Sequence, residues 1–153
     1  MLYTNVLREC PKGFENVNIK EKECYGNVFK FAERNRILFK EEKMKIAYGF
    51  LNDPDLGSNL WIRHCFILDK NNNILDITLL NKSNIKNNRY IIFKTFDSGD
   101  ELLKNKEFNK DTSLSKSLLS YEKKILLNYV EENMIDIIKK LKHSQDIMVF
   151  KDF

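Results

Sequence analysis

The first hundred residues carry two hydrophobic periods, and each period predicts a different kind of element. In residues 24–34, Val28, Phe31 and Ala32 recur at the i, i+3, i+4 spacing of one helical face. We therefore predict a helix there, with Cys24 at or just before its first turn. Four later segments alternate apolar and polar positions or are continuously apolar, as strands are: residues 44–51, 61–68, 74–79 and 89–96.

Turns and further elements complete the prediction. Residues 69–73 form a hairpin turn rich in Asn, a residue that tolerates positive φ. Ser98 is placed to cap a short helix, residues 114–142 have the pattern of a long amphipathic helix, and residues 146–150 suit a last strand. Residues 1–23 are polar and irregular, and their pattern does not distinguish helix from loop. A helix, then antiparallel strands, then further helices predict an α+β fold.

The composition is that of one folded domain. The 153 residues are 42% hydrophobic and 31% charged, and they include only 5 glycines and 2 prolines. This length suits a single domain over residues 1–153, and the scarcity of Gly and Pro argues against long flexible linkers. The net charge of +4 is spread among acidic residues without a basic block, so a nucleic-acid partner is not indicated.

Cysteine usage and the N-terminus predict a cytoplasmic protein. The chain has 3 cysteines and no C-x-x-C pair, which argues against a disulfide scaffold or a zinc knuckle. Free thiols fit a reducing compartment. No basic stretch followed by an apolar run opens the chain, and no apolar run reaches membrane-spanning length. We expect no metal and no cofactor, because the loop aspartates lack a metal-loop spacing and a Cys/His site would need a further ligand.

Cys24 is the candidate nucleophile. A thiol reacts as the thiolate, and the first turn of a helix favours the thiolate through its unpaired N–H groups and its dipole. Such a cysteine needs a base, and the chain has 2 histidines, His64 and His143. His64 lies in an apolar strand beside the hairpin. We interpret His143 as a surface residue at a helix end, where a cation suits the dipole.

The hairpin register decides whether His64 meets Asp76. Side chains alternate between faces along a strand, so a three- or five-residue loop puts both residues on one face. A loop of residues 69–71 makes them direct partners with Cβ atoms roughly 5 Å apart, and a loop of residues 70–72 sets them one diagonal step apart. In either register the carboxylate could orient the imidazole toward Cys24, as in a catalytic triad. A two- or four-residue loop would separate them.

The chain order of Cys, His and Asp resembles that of papain-like cysteine proteases and of related amidases, deamidases and transglutaminases. Four segments are also similar to a group of small phage and bacterial proteins, whose pattern is C-aromatic-x-N, a Gly-containing strand, H-A-aromatic on a strand and D-x-T after a hairpin. The matching segments are Cys24-Tyr25-Gly26-Asn27, Tyr48-Gly49-Phe50, His64-Cys65-Phe66-Ile67-Leu68-Asp69 and Leu75-Asp76-Ile77-Thr78.

This resemblance covers residues 24–80 and implies a papain-like fold, with an N-terminal nucleophile helix packed on an antiparallel sheet. It gives Cys24 the role of nucleophile, His64 that of base and Asp76 that of the orienting residue. The C-terminal helices have no counterpart in the related pattern.

Three further residues are candidates for substrate binding or for support of the site. Asn18 stands six residues before Cys24, where papain-like enzymes supply an oxyanion-hole Gln. Asn27 lies one helical turn after Cys24; it could hydrogen-bond near the site or support the loop that carries His64, and we favour support. Trp61 could line a substrate pocket, although a large strand aromatic is more often a core residue. Cys65 stands where the related pattern often has Ala, and a small buried residue fits both.

The expected function is that of a thiol-dependent hydrolase or acyl transferase acting on an amide. The amide could belong to a peptide, to a glutamine side chain or to an isopeptide, so the substrate is a protein or peptide. An enzyme of a phage or a bacterial effector would act in the host cytoplasm. The alternative is a non-catalytic binding or inhibitor protein that retains the fold, and a weaker one is a nucleic-acid binder. The oligomeric state is not indicated by the sequence.

Overall fold

Six strands form one sheet in the part of the chain that the structure describes. The structure is a computed structural model, and it describes residues 2–21, 23–55, 60–82, 85–104 and the strand at 147–149. The strands are β1 (Leu2–Tyr3), β2 (Lys45–Asn52), β3 (Leu60–Leu68), β4 (Ile74–Leu75), β5 (Arg89–Phe96) and β6 (Ile147–Val149). Their order is β1-β5-β2-β3-β4, with β6 also paired to β3, and every ladder is antiparallel.

Three α-helices accompany the sheet within the described ranges: α1 (Cys24–Arg34), α2 (Arg36–Glu41) and α3 (Gly99–Lys104). Helix α1 begins at Cys24 as predicted, and the predicted helix after Ser98 is also confirmed. The Ser98 hydroxyl accepts a hydrogen bond from the Glu101 N–H at 3.1 Å, as an N-cap does. Helix α2 was not predicted, because six residues are too few to show a helical period. None of the described helices has the length and apolar character that crossing a bilayer requires.

The N-terminal segment joins the two edges of the sheet. Tyr3 lies opposite Tyr90 on β5 at one edge. A few residues later, the Leu7 N–H donates to the Ile74 carbonyl at 2.8 Å, and the Ile74 N–H donates to the Asn5 carbonyl at 2.7 Å. Since Ile74 belongs to β4 at the other edge, the sheet curls into a nearly closed barrel. Among its described residues, the segment that the sequence pattern left undecided holds β1 and otherwise turns and irregular chain, with no helix.

The core has two layers, one on each face of the sheet. Alternation along β3 sends Cys65 and Ile67 toward α1, and Phe66 and Leu68 toward the opposite layer. The α1-side layer also holds the buried face of that helix: Val28, Phe31 and Ala32. The opposite layer holds Ala47, Leu51, Ile74 and Tyr90. His64 stands two residues before Phe66 on β3, so its side chain leaves the strand on the same face as Phe66, in the layer opposite α1.

The predicted α+β class is confirmed, and one strand prediction is wrong in length. The return strand was expected over residues 74–79, but β4 ends at Leu75. The chain turns at once after it, because the Asp76 carbonyl accepts the Leu79 N–H at 3.2 Å. Strand β6 agrees with the predicted last strand at 146–150. The helix predicted over residues 114–142 lies outside the described residues.

Gly49 is required by a bulge beside the candidate site. On β2, Tyr48 pairs with Lys94 and Gly49 pairs with Ile92, so β5 has one extra residue between those two partners. The bulge brings β5 so close that a Cβ built on Gly49 would lie 1.7 Å from the Ile91 carbonyl oxygen. Only glycine fits such an approach. On its other side Gly49 lies directly opposite His64.

Candidate active site

The hairpin brings His64 and Asp76 into direct contact. Ile67 pairs with Leu75 and Leu68 with Ile74, so the connecting loop is residues 69–73. This register sets Asp76 one diagonal step from His64, on the same face. The His64 Nε2 lies 2.8 Å from the Asp76 Oδ2. Because a carboxylate can only accept, Nε2 carries the proton of this hydrogen bond.

The turn residues hold that register. Asn72 adopts a φ of 63°, the positive value expected of an Asn in this turn. The Asp69 Oδ1 accepts the N–H groups of Asn71 and Asn73, each at 2.8 Å. The Asp69 N–H in turn donates to the Asn73 carbonyl at 3.0 Å. These bonds close the loop on itself, so a slip that would separate the histidine from the aspartate is opposed locally.

Asp76 is fully buried, with 0% of its surface exposed. Burial of a carboxylate is costly unless hydrogen bonds compensate it. The second donor to Asp76 is Tyr90, whose hydroxyl donates to the same Oδ2 at 2.7 Å. The other oxygen, Oδ1, has no hydrogen-bond partner among the described atoms. Two donors from different strands therefore converge on one oxygen of a buried anion.

The Cys24 thiol is the second hydrogen-bonding group beside the His64 imidazole. Since Nε2 is directed at Asp76, Nδ1 is the ring nitrogen left for the sulfur. Cys24 is partly buried and packs with the α1-side core that contains Cys65, whereas His64 leaves β3 on the other face. Within the described residues, the edge of β3 away from β2 pairs with β6 at residues 60–62 and with β4 at residues 67–68.

The surroundings of His64 favour the imidazolium. Burial would lower the pKa of His64, but the charge and hydrogen bond of Asp76 and the hydrogen bond of Cys24 oppose it and raise that pKa to about 10. At neutral pH the imidazole is therefore protonated, with one N–H on the carboxylate and the other available to the sulfur. A cation hydrogen-bonded to a thiol is the general arrangement of the thiol–imidazole pair in cysteine nucleophiles.

The first turn of α1 adds a second electrostatic contribution. The first N–H groups of a helix have no acceptor inside it, and they form the positive end of its dipole. The side chain of the N-cap residue, Glu23, makes no capping hydrogen bond to them. The first acceptor inside the turn is the Glu23 carbonyl, which takes the Asn27 N–H at 2.9 Å. The positive end of the α1 dipole therefore lies at Cys24.

Two buried asparagines of the helix region hold the N-terminal segment in place. The Asn27 side chain accepts the Lys20 N–H at 3.0 Å and donates to the Lys20 carbonyl at 2.8 Å. It also donates to the Thr78 hydroxyl at 3.1 Å, just after Asp76. Asn35 brackets the backbone of Glu15 in the same way, at 2.7 and 2.9 Å. Asn27 therefore ties together the segment before Cys24 and the turn after Asp76.

The two other candidate residues, Asn18 and Trp61, make no hydrogen bond to the Cys24–His64–Asp76 cluster within the described residues. Asn18 is exposed, and within the described residues its side chain makes no hydrogen bond to Cys24, His64 or Asp76. Trp61 is buried in the α1-side core, and the Arg89 guanidinium lies over its ring at 5.8 Å. Their assignment to substrate binding therefore stays a prediction.

Sequence reasoning did not single out Tyr90 or Arg63. Tyr90 lies in a predicted strand, at a position that the alternation places on the buried side. A hydroxyl at a buried position was the only sign that this residue needs a hydrogen-bond partner. Arg63 is buried on β3 directly before His64, and its positive charge acts on the Tyr25 hydroxyl beside Cys24. A buried arginine cannot be recognised from the alternation of a strand alone.

Comparison of the chain with protein-family models, with curated proteins and with solved structures found no match. Within the described residues, no group of three or more His, Cys, Asp or Glu side chains is arranged to hold a metal ion. Cys24, His64, Asp76 and Tyr90 therefore form the candidate site.

Proposed function

We propose that this protein is a papain-like cysteine hydrolase or acyl transferase that acts on an amide of a protein or peptide. The observation that carries the proposal is the buried His64–Asp76 hydrogen bond, which has the Cys24 thiol on the other side of the same ring. A nucleophile, a base and an orienting residue in hydrogen-bonding contact form the minimum apparatus of covalent acyl transfer. Protease, glutamine deamidase and transglutaminase-like reactions all begin with this step.

In the proposed reaction the Cys24 thiolate attacks the carbonyl carbon of the amide, and a C–S bond forms. The carbonyl oxygen becomes an oxyanion beside the first-turn N–H groups of α1, which stabilise it. His64 Nδ1 then gives its proton to the leaving nitrogen as the C–N bond breaks, and an acyl-thioester and a free amine result. Water, or an amine in the transferase case, attacks the thioester. His64 takes the proton of that nucleophile, and the thiolate is regenerated.

The supporting residues have matching tasks. Asp76 fixes the ring orientation and the tautomer of His64 and stabilises its positive charge. Asn27 holds the backbone before Cys24, so the first turn of α1 keeps its place relative to the hairpin. The 3 free cysteines suit a reducing compartment, in which the thiol would remain available.

Thiol alkylation as a function of pH tests the proposal. Iodoacetamide is added to wild type and to His64→Ala, and mass spectrometry assigns the modification to each cysteine. Cys10 and Cys65 are internal controls, because burial raises the pKa of each thiol and slows its reaction. We expect Cys24 to react fastest and to stay reactive at pH 6, well below the range near 8.5 in which a free thiol titrates. In His64→Ala we expect Cys24 to react no faster than an ordinary thiol at pH 6.

If Cys24 reacts like an ordinary thiol and is indifferent to the loss of His64, the proposal is wrong. The protein would then be assigned to the non-catalytic binding class. If the reactivity is confirmed, a peptide nitrile or peptidyl chloromethyl ketone library would identify the acyl group that the site accepts.

A further inference from the structure

We infer that Tyr90 is a positioning residue of this site: its hydroxyl fixes the Asp76 carboxylate so that Oδ2 receives the His64 Nε2–H bond. The inference rests on the proposed function, since it assigns a role within that reaction. Tyr90 would touch neither substrate nor the sulfur. It would act through Asp76 and His64 on Cys24.

The hydrogen bonds at Asp76 carry the inference. Oδ2 accepts from His64 at 2.8 Å and from Tyr90 at 2.7 Å, while Oδ1 has no partner among the described atoms. The donors come from β3 and β5, which lie on opposite sides of β2. A rotation of the carboxylate that satisfied one donor alone would break the bond to the other. With Tyr90 removed, either oxygen could serve His64, and the single orientation would be lost.

Tyr90 is itself held rigidly. Its side chain is 0% exposed, and its ring centroid lies 4.7 Å from that of Phe66. The Phe66 ring in turn stacks against His64, with centroids 6.1 Å apart and planes inclined by 22°. The ring positions therefore fix the place at which the hydroxyl proton meets Oδ2. A donor that is already ordered costs little further side-chain entropy when it binds the carboxylate.

The phenol remains a proton donor across the working range of pH. Burial, followed by the charge of Asp76, raises the pKa of Tyr90 well above its ordinary value near 10. The other titratable groups that act on this cluster are Asp53 after β2, Cys24 on α1 and Cys65 on β3. Of these, Asp53 also raises the pKa of Tyr90, so it does not favour the phenolate.

A purely structural role predicts something different. A tyrosine that only satisfies a buried carboxylate would stabilise the fold, and its loss would cost stability without changing the titration of His64 or the reactivity of Cys24. The test therefore measures those two quantities together with stability. The chain has only 2 histidines, so His143→Gln leaves His64 as the one imidazole whose titration NMR can follow.

The experiment compares Tyr90→Phe with the parent in the His143→Gln background. We expect the midpoint of the His64 titration to fall by about one unit, because a less well oriented Asp76 stabilises the imidazolium less. The same loss weakens the imidazolium–thiolate pair, so Cys24 alkylation at pH 6 should slow by up to about tenfold, since one unit is a factor of ten in that equilibrium. At pH 9.5 the two alkylation rates should agree within about twofold, since free thiols are largely ionised there. The matched control is Tyr48→Phe, a buried tyrosine on β2 that belongs to the α1-side core, and it should leave both readouts unchanged.

Replacement of Tyr90 by 4-aminophenylalanine keeps a donor at the same place and should restore both readouts. Replacement by 4-methylphenylalanine keeps the size without the donor and should not. If Tyr90→Phe fails to fold, these two variants, which keep the size of tyrosine, still test whether the donor at this position matters. An unchanged or raised His64 midpoint, or an unchanged Cys24 rate at pH 6, overturns the inference.

The His64→Ala variant separates the two possible failures. If His64→Ala slows Cys24 and Tyr90→Phe does not, the role of Tyr90 is wrong and the proposed function stands. If His64→Ala has no effect either, the proposed function itself fails.

Discussion

Asp76→Asn is the most informative single change in this molecule, because it removes a charge and keeps the shape. The amide can still accept the bonds from His64 and Tyr90 at 2.8 and 2.7 Å, so the hydrogen-bond geometry can survive. The loss is the negative charge that opposes the burial of the imidazolium. Without it, burial is expected to place the pKa of His64 below its ordinary value of 6.5 rather than at about 10.

The consequence for stability has a definite sign. In wild type the folded-state pKa of His64 is raised, so its contribution to stability is complete below about pH 6.5 and is lost as the pH rises toward 10. Breaking a buried pair by removing one partner costs about 3–5 kcal/mol. We therefore expect Asp76→Asn to lower the free energy of unfolding by that amount at pH 6, and by much less at pH 10.

Urea unfolding at pH 6, 7.5 and 9 measures this difference. The variants are made in the His143→Gln background, so that the second histidine does not contribute. Wild type should lose stability across this range relative to Asp76→Asn, by up to about 1.4 kcal/mol per pH unit. Parallel curves for the two proteins would refute the reasoning, because they would mean that Asp76 does not change the protonation of His64.

Three other substitutions test the scaffold. Gly49→Ala should prevent folding or lower the midpoint of thermal unfolding severely, since its Cβ would lie 1.7 Å from the Ile91 carbonyl oxygen; a change of less than 1 °C would contradict that packing. Asn27→Ala removes both hydrogen bonds to the Lys20 backbone and should lower the free energy of unfolding in urea by about 1–3 kcal/mol; an unchanged midpoint would show that water replaces these two hydrogen bonds. Lys43→Gly should raise stability by about 0.5 kcal/mol, because Lys43 has a φ of 53°; a decrease would mean that the lysine side chain matters more than the backbone strain.

The part of the site that the sequence predicted depends on local periodicity. His64 and Asp76 are 12 residues apart, and one hairpin joins them, so the two-residue period of a strand and the parity of the loop determine whether they share a face. The start of α1 followed from its apolar spacing in the same way. Both predictions needed only neighbouring elements.

The remainder depends on how distant strands pair. Tyr90 reaches Asp76 because β5 lies beside β2 and the sheet curls, and no local pattern specifies either fact. The early end of β4 was also hidden, since Ile77 and Leu79 continue the apolar alternation after Asp76. The closure of the sheet by residues 2–7 rests on backbone hydrogen bonds, which leave little trace in side-chain pattern.

The cost of the buried cluster is itself an argument for a function. A core gains more from well-packed apolar residues than from a buried ion pair, and replacing such pairs with apolar residues is often neutral or stabilising. Here the core holds a carboxylate with 0% exposure, an imidazolium and a tyrosine hydroxyl, beside an otherwise apolar layer of Phe66, Leu68 and Ile74. The imidazole also hydrogen-bonds to Cys24, a partly buried cysteine at a helix start. A buried ion pair that an apolar core would not need, and that is hydrogen-bonded to a thiol, is what the proposed function requires.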